Sequence, residues 1–102
     1  MPLQSLALLN SEFAANRAKS LAERLVALHP QQAALMVNEA YLRLVARPAS
    51  AAEIELAKAF IEQQSRTYAA EHSDADESSN SVRAMADLCQ MLMASNEFLY
   101  WE

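Results

Sequence analysis

The chain has 102 residues and no glycine, and this absence limits its fold more than any other feature of the sequence. Average usage would place about seven glycines in a chain of this length. Tight β-hairpin turns need glycine because their central residues adopt positive φ angles, so the sequence argues against sandwiches and barrels. It argues equally against a glycine-rich phosphate-binding loop. The expected fold class is therefore all-α, a compact bundle of helices.

Size and composition predict a single helical domain over residues 1–102. A typical domain has about 100–150 residues, and 53% of this chain is apolar, which suffices for one hydrophobic core. The net charge of −5 would repel phosphate backbones, so no nucleic-acid partner is expected. No segment approaches the roughly 20 consecutive apolar residues that cross a bilayer, so no membrane insertion is expected. The first residues lack the features of a signal peptide, and the compartment is left open.

Apolar residues spaced by three and four positions predict about four helices after a short N-terminal one. The short helix is expected over residues 3–9 and the others over residues 11–28, 31–45, 51–70 and 82–94. Ser50 and Glu53 have the spacing of a capping box, which would begin the third of these four helices. The buried stripe expected on the first of the four is Ala14, Ala18, Leu21, Leu25 and Leu28.

Residues 71–80 contain four acidic residues and no large apolar side chain. They are expected to form an acidic, serine-rich flexible connector, with Ser81 as the N-cap of the last helix. That helix is expected to stop at Ser95, and the aromatic C-terminal tail to fold back onto the bundle, because burying one such side chain contributes about 1.5–3 kcal/mol. Phe13 and Phe98 each follow a similar break and a glutamate, and both are expected to insert into the core.

The sequence contains no motif of a catalytic or metal site. Neither histidine has the glutamate three residues earlier that di-iron bundles use, and the zinc motifs HExxH and CxxC do not occur. The acidic run at 74–78 lacks the glycine and the spacing of a calcium-binding EF-hand loop. Cys89 is the sole cysteine and lies on an apolar stripe, where cysteine usually acts as a small inert hydrophobe. We therefore assign no catalytic residue, no metal and no cofactor.

Two arginines are candidate interaction residues. Arg43 and Arg47 share a helical face and could bind an anion or an acidic patch of a partner. The favoured interpretation is structural, with the guanidinium groups paired to carboxylates such as Glu39 and Glu53.

Two aromatic residues of the tail, Tyr100 and Trp101, are the other candidates. Tyrosine and tryptophan dominate interface hot spots. If they are exposed, these two side chains would form an interface anchor and could join two copies of the chain into a homo-oligomer. If they are buried, they belong to the core.

Three strings resemble a known family. They are LLNSEF at residues 8–13, EAYLRLVARPASAAE at residues 39–53 and DLCQMLMASNEFLY at residues 87–100. All three resemble, in the same order, a C-terminal domain of unknown function, domain of unknown function 1553, of large planctomycete proteins. The resemblance runs from about residue 6 to residue 102. Where the family has a glycine, this chain has Ala46. Glycine accepts a left-handed helix end more readily than alanine, so we expect the turn after Ala46 to close differently.

The resemblance implies that the chain is the C-terminal module of a larger exported or periplasmic protein, which often also carries a planctomycete-type cytochrome c domain. The haem motif of that separate domain is absent here, so no haem is carried over. We expect a non-catalytic structural or protein-interaction module whose partners are other domains or subunits of the larger protein. One alternative is an accessory domain that supplies Arg43, Arg47 or the acidic loop to an active site completed elsewhere. The other is a small regulatory binder that acts alone through its tail.

Overall fold

The computed structural model describes residues 12–72, 74 and 76–100, the last five by their backbone alone. These residues form four α-helices and contain no β-strand, so the expected all-α bundle is confirmed. The helix predicted over residues 3–9 lies outside the described residues. The helices are α1 (Glu12–Leu28), α2 (Ala33–Leu44), α3 (Ala51–Glu71) and α4 (Glu77–Tyr100).

Helix α4 is the centre of the bundle, and α1 and α3 make the most extensive contacts with it. Each fully buried leucine, valine or methionine contributes about 1.5–3 kcal/mol to folding. α3 contributes Ala57 as its one fully buried residue and packs otherwise through half-buried side chains. The core consists of Ala18, Ala22, Leu25, Met36, Val37, Ala40, Ala57, Met85, Leu88, Cys89 and Leu92.

The turn between α2 and α3 is fixed by the predicted capping box, which is confirmed. The backbone N–H of Glu53 donates to Ser50 Oγ at 3.1 Å, and the Ser50 N–H donates to Glu53 Oε1 at 2.9 Å. These bonds satisfy backbone donors that a helix start otherwise leaves unpaired. The Ala49 N–H donates to Asn38 Oδ1 at 3.0 Å, which ties the turn back to α2.

Ala46 adopts a φ angle of 64°, which is the left-handed conformation that glycine accepts most readily. Ala46 thus takes the left-handed conformation itself, and the expected difference from the family's turn stays a prediction. The Val45 N–H still makes a helical bond to the Tyr41 carbonyl at 2.8 Å, and the helix ends because the next residue, Ala46, turns out of the helix.

The connector between α3 and α4 is shorter than predicted, because residues 77–80 belong to α4. Asp76 caps this helix: the Ser79 N–H donates to Asp76 Oδ1 at 2.7 Å. The prediction of Ser81 as the N-cap is therefore wrong. Asn80, placed by prediction in a solvated segment, is 5% exposed, because the first turn of α4 already packs on the bundle.

Helix α4 continues through Ser95 and Asn96 to Tyr100, so the predicted stop at Ser95 is wrong. Serine and asparagine inside a helix cost only tenths of a kcal/mol each, which is too little to end it. The docking of the tail, including the insertion of Phe98, concerns side chains that lie outside the described residues.

Candidate interaction surface

The buried face of α1 includes Ala14, Ala18 and Leu25, as predicted, but otherwise differs from the predicted stripe. Phe13 is 58% exposed and Leu28 is 53% exposed, so their predicted burial is wrong. Leu21 is half-buried beside the core. The side chains that are buried in α1 are Ala14, Ala18, Ala22 and Leu25.

A second row of side chains therefore runs along α1, next to the buried face. Residues three or four positions apart lie on one side of a helix. This spacing aligns Phe13, Arg17, Leu21, Arg24 and Leu28, which we call the α1 stripe. Both arginines are exposed, so the stripe presents apolar and positively charged side chains in alternation.

Arg17 and Arg24 of this stripe line a cleft together with Arg43 of α2. The cleft has a volume of about 480 Å³ and also contacts the Ser20 side chain. Leu21, Leu44 and Met93 give it an apolar floor. We call it the arginine cleft. It concentrates three positive charges on a chain whose net charge is −5.

The three arginines of the cleft differ in their contacts. The Arg43 Nε–H donates to Glu39 Oε2 at 3.0 Å, which leaves the donors on its terminal nitrogens for further bonds. The Arg17 guanidinium carbon lies 5.6 Å from the centre of the Phe13 ring, a cation–π contact. Arg24 has no hydrogen bond or ion pair with any residue that the structure describes. The pairing of Arg43 with Glu39 is thus as expected, whereas neither Arg17 nor Arg24 has a carboxylate partner among the described residues.

Arg47 is engaged elsewhere, in a cluster with Glu53. Its two terminal nitrogens donate to the two carboxylate oxygens of Glu53, both at 2.8 Å, and one of them also donates to the Pro48 carbonyl at 3.1 Å. The hydrogen bonds from Arg47, followed by the one from the Ser50 amide, lower the pKa of Glu53 to about 2. The structural pairing expected for Arg47 is confirmed. Arg47 is not among the residues that line the arginine cleft, so the two predicted arginines occupy different environments.

A third polar cluster joins α3 to α4 and was not predicted. The Tyr68 hydroxyl donates to Asp87 Oδ2 at 2.6 Å, and the Gln64 amide donates to the same oxygen at 2.9 Å. The bond to Asp87 raises the pKa of Tyr68, and burial adds to the effect. Arg83 lies over the Tyr68 ring at 4.6 Å. Gln64 and Tyr68 are four residues apart on one helix face, which is the signal that could have indicated a shared partner.

Cys89 is fully buried, and burial raises the pKa of its thiol to about 12. A protonated thiol is a poor nucleophile and a poor metal ligand. Among residues 12–72, 74 and 76–100, no three His, Cys, Asp or Glu side chains are grouped to hold a metal ion. In the same part of the chain, no helix is both long and apolar enough to span a membrane.

The structure describes the two aromatic candidates of the tail only in part. Tyr100 is the last residue of α4, and its side chain lies outside the described residues. Trp101 lies outside them altogether. Their role in an interface stays a prediction.

Comparison with known proteins identifies a family. The family model PSD1, a protein of unknown function (DUF1553), matches residues 1–61. This segment includes the string at residues 8–13 and the turn after Ala46, and it ends before the string at residues 87–100. Comparison with curated proteins and with solved structures gives no significant match. Because the matched segment covers 61 of the 102 residues, the chain belongs to the PSD1 (DUF1553) family of proteins of unknown function.

Proposed function

We propose that this chain is a non-catalytic helical module that binds other domains or subunits of a larger protein. The observation that carries the proposal is the α1 stripe, in which exposed Phe13 and Leu28 alternate with exposed arginines. Aromatic residues and arginine are enriched in protein interfaces relative to the rest of a protein surface. The stripe therefore has the composition of a surface that a partner covers.

The length of the stripe also suits a protein partner. Phe13 and Leu28 are 15 residues apart in one helix, which places them roughly 22 Å apart along its axis at 1.5 Å per residue. A partner helix of about four turns would cover this distance. Covering an exposed phenylalanine or leucine completely would contribute about 1.5–3 kcal/mol, part of which is offset by the cost of association.

The ionisation of two reactive groups supports binding rather than catalysis. The pKa of the Cys89 thiol is raised to about 12, so it is protonated near neutral pH. The pKa of Glu53 is lowered to about 2, so its carboxylate is a weak base. A general base works best when its pKa lies near the working pH.

Site-specific photo-cross-linking in cells that produce the protein tests the proposal. A benzophenone amino acid replaces Leu28 in the stripe, and a control replaces Glu62, whose side chain is 73% exposed on α3. We expect position 28 to cross-link to one defined polypeptide and position 62 to give none. The same background pattern from both positions would overturn the proposal. The alternative of an accessory enzyme domain rests on Arg43 in the arginine cleft, and it predicts that the captured polypeptide is a catalytic domain.

A further inference from the structure

We infer that the arginine cleft binds an acidic helix of another polypeptide, with two carboxylates seven residues apart and an apolar side chain between them. The inference rests on the proposed function, because it assigns a chemistry to the partner that covers the α1 stripe. It follows from the spacing, the charge and the floor of the cleft.

The spacing of the two α1 arginines defines the spacing of the ligand groups. Arg17 and Arg24 are seven residues apart on one side of α1, about 10 Å along the helix axis. Carboxylates at positions i and i+7 of a partner helix have the same separation. An apolar residue at i+3 or i+4 of that helix would meet Leu21, which lies between the two arginines, and would reach the floor beside Leu44 and Met93.

The charges of the cleft select an acidic partner. Three guanidinium groups are accompanied by one described carboxylate that contacts them, Glu39 on Arg43. A guanidinium binds a carboxylate through two parallel hydrogen bonds, so acidic side chains are its natural ligands in proteins. Binding at Arg24 breaks no bond to a described residue, and Arg43 can add its terminal nitrogens to a carboxylate without leaving Glu39.

Three of the four arginines outside α1 contact a carboxylate among the described residues, and the fourth, Arg83, lies over the Tyr68 ring. Arg43 and Arg47 each bind a glutamate, and Arg66 on α3 lies 3.7 Å from Glu62. Both α1 arginines lack a carboxylate partner among the described residues. Among the described residues, carboxylates thus pair with Arg43, Arg47 and Arg66 but not with Arg17 or Arg24, and this contrast favours the carboxylates of another molecule as ligands of the α1 arginines.

Peptide titration of the isotopically labelled chain, followed by NMR, tests the inference. The probe is a synthetic helical peptide with glutamates at i and i+7 and a leucine at i+4, and its matched control carries glutamine at both glutamate positions. We expect the glutamate peptide to bind about fivefold more tightly, because each exposed ion pair adds a small gain in affinity. The double variant Arg17→Gln/Arg24→Gln should abolish the difference, and Arg66→Gln should preserve it. Equal binding of the two peptides, or an equal loss with Arg66→Gln, would overturn the inference.

A charge swap and a phosphate titration separate this ligand from its competitors. The variant Arg17→Glu/Arg24→Glu should prefer a peptide with lysines at i and i+7, and the dispersed amide signals of the variant should show that it is folded. Inorganic phosphate should shift the signals of Arg17 and Arg24 less than the peptide at equal concentration. A larger shift with phosphate would overturn the peptide assignment. If position 28 gives defined cross-links but the two peptides bind equally, only the assignment of an acidic ligand is wrong. If position 28 gives no defined cross-link, the proposed function itself is contradicted.

Discussion

Glu53 and Asp87 each stand at the centre of a polar cluster that joins two helices, but their partners are drawn from different distances along the chain. Glu53 is bound by Arg47 and Ser50, which lie six and three residues away. Asp87 is bound by Tyr68 and Gln64, which lie 19 and 23 residues away. The first cluster needs only the local turn between α2 and α3. The second exists only once α3 has packed against α4, so it reports on the tertiary structure.

Among changes to these two clusters, removal of the Asp87 carboxylate should have the largest effect on the free energy of unfolding. We expect Asp87→Ala to lower the free energy of unfolding by about 2 kcal/mol, because it leaves Tyr68 and Gln64 without their charged acceptor. Urea unfolding measures the change. Glu55→Ala on the exposed face of α3 is the control for helix propensity and should change stability by less than about 0.5 kcal/mol. A similar small change for Asp87→Ala would show that the cluster does not stabilise the packing of α3 on α4.

A substitution in the turn between α2 and α3 should have a smaller effect on the free energy of unfolding, and one of opposite sign. Ala46→Gly should raise the free energy of unfolding by roughly 0.5–1 kcal/mol, because a left-handed alanine costs about 1–2 kcal/mol and the extra chain entropy of glycine offsets part of the gain. The matched control is Ala59→Gly within exposed α3, which should lower stability by about 1 kcal/mol. Thermal unfolding shows whether each variant is more or less stable than the original chain. Destabilisation by both variants would contradict the positive φ angle of residue 46.

The contributions of the two clusters to stability should also depend on pH, one in the acid range and the other in the alkaline range. This pH dependence is the smallest of the expected effects. The pKa of Glu53 is lowered to about 2 from a usual value of 4.5, so its contribution is present above pH 4.5 and is lost as the pH falls toward 2. The pKa of Tyr68 is raised above its usual value of 10.0, so its contribution is present below pH 10 and is lost as the pH rises through the raised pKa.

Urea unfolding across the pH range checks this pair of responses. Glu53→Gln should flatten the acid limb and should affect the alkaline limb only through Tyr41, because the Glu53 charge adds to burial in raising the Tyr41 pKa. Tyr68→Phe should reduce the alkaline limb alone. Cys89, whose thiol pKa is raised by burial to about 12, and Tyr41, whose pKa is also raised by burial, account for the alkaline response that remains. If Tyr68→Phe altered the acid limb, the two clusters would not be independent.

The elements that the sequence predicts well are those controlled within one helical turn. The capping box at Ser50 and the end of α2 before Pro48 depend on neighbouring residues, and both agree with the structure. The start of α4 was misplaced because a polar first helical turn has the same composition as a loop. Asp76, whose side chain is of the type favoured at an N-cap, was the available local signal. The burial of Asn80 depends on tertiary packing and has no such signal.

The α1 stripe was missed for a different reason. Large apolar residues are usually assigned to the core, so the sequence favoured Leu28 over Ala22 as a buried position. The structure buries alanines instead, because small side chains allow α1 to approach its neighbours closely. Phe13 and the two arginines were thereby displaced to the adjoining exposed face. Arg43 was recognised from its charge and its position near the turn, but its grouping with Arg17 and Arg24 depends on how α1 packs beside α2.

The position of Cys89 gives the molecule an internal reporter of its own opening. The chain has one thiol, and it is completely enclosed among the helices. A thiol-reactive dye can therefore modify only molecules in which α4 has separated from its neighbours. The rate of labelling in the absence of denaturant measures how often that separation occurs, since local and global opening govern access to enclosed groups. Each variant described above carries the same reporter without any added label.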